Sequence, residues 1–146
     1  RQDVLCIIVG DGLLKDELNV QVKSAGLENY VKLVGGKPHH TIPLWMNAAN
    51  LFVLSSLHEG NPIVMLESLG VGLPFIGTRV GAIPEIISSE DYGFLVNSKD
   101  SKDLANKISA AINKKWDKLK IINYSNNFKW DSINNYIQNL YMSLLT

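Results

Sequence analysis

Short runs of apolar residues alternate along this chain with segments whose apolar positions recur every three or four residues. The runs predict β-strands at Val4–Val9, Val31–Val34, Leu51–Leu54, Phe75–Gly77 and Phe94–Val96. The helical spacing predicts helices at Leu13–Ala25, Pro43–Ala49, Pro62–Val71, Pro84–Ile87, Ser101–Asn113, Trp116–Ser125 and Ser132–Leu145. Wholly apolar strands separated by helices are typical of a parallel sheet covered on both faces. The pattern therefore predicts a Rossmann-like α/β domain with a parallel sheet and helices on both faces.

Glycine-bearing loops follow four of the predicted strands, at residues 10–12, 35–40, 55–61 and 77–85. Ligands of open α/β sheets bind outside the carboxyl ends of the strands, so we expect these loops to line one functional edge. The first loop, "GDG", is a tight turn without the G-x-G-x-x-G spacing, and it is therefore no dinucleotide fingerprint.

The composition of the chain indicates its domain size and the kinds of partner that its charge favours. The chain has 146 residues, 46% of them hydrophobic, which predicts one domain of ordinary size with a real core. Fourteen basic residues balance fourteen acidic ones, which gives no support for nucleic acid or a membrane surface as partner. The single cysteine, Cys6, excludes an internal disulfide and is expected to be a small buried residue of the first strand.

The run "HEGNPIVMLESLGVGLPFIG" at residues 58–77 carries the most specific chemistry. Asn61 is a good N-cap and Pro62 is favoured at the first helical position, so a helix is expected to begin here. The N–H groups of Ile63, Val64 and Met65 would then be available to a phosphate at the positive end of the helix dipole. Gly60 would let a ligand approach the backbone closely. The alternative is an ordinary helix start that binds nothing.

Two carboxylates, Glu59 and Glu67, lie eight positions apart in this apolar run. Glu67 follows Ile63 by four residues, so the two share a face of the helix, and side chains lean toward the helix N-terminus. Because the helix has little polar surface, we expect it to be well buried, with Glu67 able to accept hydrogen bonds from a diol such as a ribose. Glu59 could reach the same ligand from the loop. Solvent-exposed or locally paired glutamates are the alternative for both.

The remaining polar residues indicate less. His39, His40 and His58 have no metal-ligand spacing and are expected to be loop residues. In "TRVGAIPE", Gly81 permits a close backbone approach and Glu85 lies near a second helix start.

Taken together, "VGDG", "VKLVGGKPHHTIPLWMNAANLFVLSSLHEGNPIVMLESLGVGLPFIGTRVGAIPEII" and "GFLVNSKD" resemble the C-terminal domain of the retaining family 4 (group 1) glycosyltransferases of GT-B fold. The resemblance extends over nearly the whole chain, to "FKWDSINNYIQNLY", and includes the Glu-x7-Glu spacing of Glu59 and Glu67. It implies that residues 1–146 are the nucleotide-sugar-binding half of a GT-B enzyme. The N-terminal acceptor domain and the first strand of this domain would then be absent.

The resemblance also implies roles for single residues. Glu59 would contact the donor sugar as the catalytic residue, and Glu67 would bind the ribose hydroxyls. The remaining donor-binding residues would serve the sugar, the diphosphate and the nucleobase: Gly10, Gly35, Gly60, Asn61, Pro62, Ile63 and Val64. Loops near Gly10 and Val34–Gly36 would border the base, and Gly81–Glu85 would lie at the edge of the cleft. No metal and no cofactor is expected beyond the nucleotide-diphosphate sugar that acts as donor substrate.

Some positions depart from the family pattern. The family commonly has an Arg and a Lys-Gly pair before the equivalent of Val4–Val9, and this chain has no counterpart of these cations. "EGNP" replaces the frequent "EGFG", so Asn61-Pro62 would alter the sugar contacts. Arg79 stands where a small or acidic residue is usual, either as a substitute cation or as a surface charge, and we favour the surface charge.

The resemblance therefore predicts a glycosyltransferase that moves a sugar from a nucleotide-diphosphate sugar to a glycan or lipid acceptor with retention of configuration. The acceptor would bind through the missing N-terminal domain, and the isolated piece would be inactive or nearly so. The lack of disulfides fits the cytoplasm. The sequence has no signal-peptide pattern and no apolar stretch long enough to span a membrane. We therefore expect a cytoplasmic enzyme, with attachment to the inner face of the membrane through the missing domain as an option. The rivals are a GT-B-fold sugar-nucleotide epimerase and a non-catalytic nucleotide-sugar-binding module.

Overall fold

The structure is a computed structural model that describes residues 3–145. Strands and helices alternate as β1 Cys6–Val9, α1 Lys15–Ser24, β2 Val31–Gly35, α2 Ile42–Ala48, β3 Phe52–Leu54, α3 Ile63–Gly70, β4 Phe75–Thr78, α4 Ile83–Ile86, β5 Gly93–Val96, α5 Ser101–Asn113, α6 Lys118–Ser125 and α7 Trp130–Leu145. Every predicted strand and helix is confirmed, and their ends shift by no more than two residues. The chain divides into two compact units, Arg1–Ile42 and Pro43–Thr146.

In the first unit, β1 and β2 form a parallel pair that begins with Cys6 opposite Val31. The register shifts near the carboxyl end of the pair, where Ile8 faces Leu33 but Val9 faces Gly35. In this two-stranded sheet β1 pairs with β2 alone, and all four of its residues are exposed. The prediction that Cys6 is buried is therefore wrong, because strand side chains point out of the faces of the sheet and both faces of β1 are exposed.

In the second unit, β3, β4 and β5 form a parallel sheet with β4 in the centre. Successive residues of a strand point to opposite faces, and here Phe75 and Ile76 belong to different core clusters. Phe75 packs with residues of α3, α4 and α6, whereas Ile76 packs with β5 and with Ala111 of α5. Helices thus cover both faces of β4, as the wholly apolar strands predict.

The last helix, α7, is exposed over most of its length. Its apolar side chains at helical spacing are Ile133, Ile137, Leu140, Tyr141 and Leu144, and all of these except half-buried Ile133 are exposed. Within residues 3–145, none of the helices combines the length and the apolar character needed to cross a membrane.

Candidate functional site

The start of α3 differs in detail from the prediction. The helix begins at Ile63, and its N-cap is Pro62, whose φ of −71° and ψ of 113° are extended rather than helical. Asn61 is therefore not the N-cap, and no side chain caps this end. The Met65 N–H donates to the carbonyl of Pro62 at 3.0 Å, so Met65 is no free donor. The N–H groups of Ile63 and Val64 precede the intrahelical bonding pattern and remain the donors that an anion could use.

Glu59 is held in the loop that leads from β3 to α3. Ser56 Oγ donates a hydrogen bond of 2.6 Å to Glu59 Oε1, and the glutamate is half-buried. The same loop is tied to the end of β4, because Thr78 Oγ1 donates to the carbonyl oxygen of Ser56 at 2.5 Å. The carboxylate of Glu59 therefore sits at the carboxyl ends of two neighbouring strands, where α/β folds bind ligands.

Gly81 brings the loop after β4 against the loop after β3. Its φ is +53°, and a Cβ at this position would overlap the carbonyl oxygens of Glu59 and Gly60. The adjacent N–H, that of Ala82, donates to the Gly60 carbonyl at 2.8 Å. The close backbone approach predicted for Gly81 is thus made to the Glu59–Gly60 backbone. Gly60 itself has open space where a Cβ would lie, which leaves room for a ligand.

Glu67 lies on the face of α3 that turns away from the core. Met65, Ser68 and Leu69 are buried on the opposite side, whereas Ile63 is 70% exposed and Glu67 is half-buried. The expectation that the helix is well buried therefore holds for its inner face only, because the core covers one side and leaves Ile63 exposed. Ile63 and Glu67 share the outward face, as their four-residue spacing predicts.

The two remaining predicted site residues, Gly10 and Gly35, belong to the first unit. The Gly10 N–H donates to the Gly35 carbonyl at 3.1 Å, which joins the turns that follow β1 and β2. Gly10 has a φ of +149° and open space around its Cβ position, and Gly35 has a φ of +72°. The structure therefore brings the predicted site residues together as two sets: Gly10 with Gly35, and residues 59–67 with Gly81.

The other predicted loop residues are on the surface. His39, His40, His58 and Arg79 are all exposed. Among residues 3–145, no three His, Cys, Asp or Glu side chains lie close enough together to hold a metal ion.

Sequence reasoning missed three features near these loops. Ser56 positions Glu59, and Asp11 of the "GDG" turn accepts a hydrogen bond from the Gly36 N–H. An open cleft of about 220 Å³ lies beyond the carboxyl ends of β3, β4 and β5, lined by residues that include Thr78, Lys99 and Leu104. The sequence marks Asp11 only as an acidic residue between two glycines directly after a strand. No pattern in the sequence indicates that Ser56 contacts Glu59.

Comparison with known proteins identifies the family. The chain matches the family described as glycosyl transferases group 1 over residues 1–128. It is 36% identical over 104 residues to the amylovoran biosynthesis glycosyltransferase AmsK of Erwinia amylovora, a match that covers 67% of this chain and 26% of AmsK. It is 32% identical over 105 residues to an Escherichia coli UDP-Gal:α-D-GlcNAc-diphosphoundecaprenol α-1,3-galactosyltransferase, covering 71% of this chain and 27% of that enzyme.

Solved structures agree with this result. The crystal structure of Anabaena HepE in complex with UDP is 30% identical with a TM-score of 0.80, over 96% of this chain and 41% of HepE. The apo form of the lipopolysaccharide outer core galactosyltransferase WaaB shares the fold, with a TM-score of 0.83 at 19% identity over 97% of this chain and 42% of WaaB. The chain spans about a quarter of the length of the curated relatives it matches. The extent of the family match shows that the chain belongs to the group 1 glycosyl transferases.

Proposed function

We propose that this chain is the donor-binding domain of a retaining, family 4 glycosyltransferase of GT-B fold. The donor is a nucleotide-diphosphate sugar, and the acceptor is a glycan or a lipid-linked glycan. AmsK serves amylovoran biosynthesis, the Escherichia coli relative uses UDP-Gal and a diphosphoundecaprenol-linked acceptor, and HepE has been crystallised with UDP-glucose. These relatives support a transferase over an epimerase or a non-catalytic module.

The observation that carries the proposal is the arrangement around the start of α3. Two N–H groups, those of Ile63 and Val64, lie at the positive end of an eight-residue helix. Glu59 stands before this end on the loop, and Glu67 stands on the outward face of the same helix. N–H groups that can donate hydrogen bonds to an anion thus lie between two carboxylates. This arrangement fits a ligand that has a diphosphate in its middle and hydroxyl groups on both sides.

The roles follow from that fit. The diphosphate accepts hydrogen bonds from the backbone between Gly60 and Val64. The Glu67 carboxylate accepts hydrogen bonds from the ribose diol, and Glu59 does the same for a hydroxyl of the donor sugar. Gly10 and Gly35 border the nucleobase. The donor needs no metal ion in this proposal, because the N–H groups of this chain and cations from the rest of the complete enzyme neutralise the diphosphate.

In the reaction, the bond between the anomeric carbon and the diphosphate oxygen breaks, and the acceptor oxygen forms its bond on the same face of the sugar. The acceptor proton passes to the leaving phosphate oxygen, so the nucleoside diphosphate departs protonated. The contribution of this chain is to bind and orient the donor and to stabilise the charge that develops on the leaving group.

The whole enzyme extends beyond this domain in the proposal. An N-terminal domain supplies the acceptor site, and the cleft between the two domains holds the reacting groups. The active enzyme is cytoplasmic, and the N-terminal domain provides any attachment to the inner face of the membrane.

The test is a transfer assay on the complete enzyme with radiolabelled UDP-, GDP- and ADP-sugars. Glu59→Gln keeps the size of the side chain and an acceptor for Ser56, but it removes the charge, and we expect the transfer rate to fall about 100-fold. Glu90→Gln, at an exposed loop position, is the matched control and should transfer at the normal rate.

Three outcomes of this assay would contradict the proposal. Full activity of Glu59→Gln removes the role of Glu59. Conversion of the donor without an acceptor favours the epimerase, and nucleotide binding without turnover in the complete protein favours the non-catalytic module.

A further inference from the structure

The turns after β1 and β2 are joined by more than one backbone hydrogen bond. Asp11 Oδ2 accepts a hydrogen bond of 2.5 Å from the Gly36 N–H, across 25 positions of sequence. Asp11 Oδ1 accepts from Lys15 Nζ, also at 2.5 Å, so both carboxylate oxygens are engaged. The carboxylate thereby fixes the second turn to the first, next to the bond from the Gly10 N–H to the Gly35 carbonyl.

The two glycines of the second turn are packed against this ion pair. A Cβ on Gly36 would lie 2.8 Å from Asp11 Oδ2, closer than real Cβ atoms come. A Cβ on Gly35 would lie 3.2 Å from Lys15 Nζ and 3.4 Å from Asp11 Oδ1, and its φ of +72° is also unfavourable for other residues. The Gly35-Gly36 pair therefore leaves the space that the Asp11–Lys15 pair occupies.

The Asp11–Lys15 ion pair lies at the surface of the protein. The side chains of Lys15 and Asp11 are 41% and 57% exposed, and exposed ion pairs add little to the stability of a fold. The pKa of Asp11 lies below its ordinary value because the Lys15 ammonium and then the Gly36 N–H stabilise the anion. The ion pair itself therefore adds little to stability, and its effect is to hold the Asp11 carboxylate in place as the acceptor that joins the first turn to the Gly36 N–H.

We propose that Asp11 and Lys15 are positioning residues that hold the backbone of Gly10, Gly35 and Gly36 as a ledge for the nucleobase of the donor. This inference rests on the proposed function, which places the base at these turns. A planar base fits such a ledge because the Cβ position of Gly10 faces open space. A ledge that is fixed before binding lowers the ordering cost of binding the donor, so the pair acts on donor affinity and not on the chemical step.

The experiment is donor kinetics on the complete enzyme, with UDP, GDP and ADP as competitive inhibitors. Asp11→Ala is expected to raise the donor KM and the inhibition constant of the preferred nucleotide about tenfold, with kcat within about twofold of normal. Asp11→Asn keeps an acceptor for the Gly36 N–H but loses the attraction to Lys15, so a rise of about threefold is expected. Lys15→Met should resemble Asp11→Asn, and Lys15→Arg should restore much of the affinity.

The control is a second exposed ion pair, Lys120 with Asp91, whose charged atoms are 2.8 Å apart and whose exposure is similar. Asp91→Asn removes a comparable pair away from the predicted site residues and should leave KM and kcat unchanged.

The outcomes separate this inference from the proposed function. If wild type binds donor and Asp11→Ala has a normal KM, the positioning role is overturned and the donor-binding proposal stands. If Asp11→Ala lowers kcat and the melting temperature while KM stays normal, the pair is structural only and the inference is again overturned. If wild type neither binds UDP, GDP or ADP nor transfers sugar, the proposed function fails and the inference falls with it.

Discussion

At the scale of single residues, backbone contacts between loops place the proposed catalytic glutamate. Gly81 adopts a φ of +53° and lies against the carbonyl groups of Glu59 and Gly60. Ser56 then orients the Glu59 carboxylate, and Thr78 fixes Ser56 in turn. The contact between Thr78 and Ser56 spans 22 positions, and contacts of this kind explain how a loop can present one carboxylate in a defined place.

Gly81→Ala is expected to destabilise the protein by about 2 kcal/mol, because the left-handed φ is strained for alanine and its Cβ would overlap two carbonyl oxygens. Urea unfolding followed by circular dichroism measures this loss. Gly70→Ala is the control, since Gly70 is a helical residue with open space around its Cβ position, and it should be neutral or slightly stabilising. Equal stability of Gly81→Ala and wild type would show that the loops do not meet as described.

The ion pair of Asp91 with Lys120 predicts a pH dependence. The hydrogen bond between Asp91 and Lys120 is the main cause that lowers the pKa of Asp91, and the same bond raises the pKa of Lys120. The contribution of Asp91 to stability is therefore present above the ordinary pKa of an aspartate and is lost as the pH falls through the lowered pKa of the folded state. That of Lys120 is lost as the pH rises through its raised pKa.

Melting temperatures of wild type and Asp91→Asn measure this effect. We expect wild type to melt slightly higher at about pH 7, and the difference to shrink as the pH falls through the lowered pKa of Asp91 in the folded state. A difference that widens toward low pH would contradict the assignment.

At the scale of elements, periodicity predicts most of what the structure contains. Each strand and helix is recovered because apolar runs and three-to-four spacing are local signals, and α5 from Ser101 to Asn113 has its predicted bounds. The exceptions depend on neighbours. Pro62 is buried, and the helix starts one residue later than the Asn-Pro signal indicates. The exposure of Cys6 depends on how completely the faces of β1 are covered.

The two faces of α3 predict a clear difference between substitutions. Leu69→Ala removes a side chain with no exposed surface, so it should lower the free energy of unfolding by about 3 kcal/mol. Ile63→Ala, on the outward face where the side chain is 70% exposed, should cost less than about 1 kcal/mol. Chemical denaturation of both variants checks the expectation, and similar losses would mean that Ile63 contributes to the core as Leu69 does.

At the scale of the whole molecule, the amino-acid sequence predicts the fold class and the family more completely than the geometry of the site. The Glu59 to Glu67 spacing is a local pattern and is visible in the sequence, as is the helix that begins between them and contains Glu67. The bond from the Gly36 N–H to Asp11 is not visible, because its partners are brought together only by the pairing of β1 with β2. Contacts of this kind depend on tertiary structure, and they supply the positioning part of the proposed mechanism.

The central claim is that a nucleoside diphosphate binds through the start of α3 and Glu67. Isothermal titration calorimetry of wild type and Glu67→Ala with UDP, GDP and ADP tests it most directly. We predict that wild type binds at least one of the three and that Glu67→Ala binds it at least about tenfold more weakly, a larger effect than the variant has on folding, because a carboxylate that bonds the ligand is lost. Equal affinity of the two proteins, or no binding of any of the three by wild type, would contradict the account.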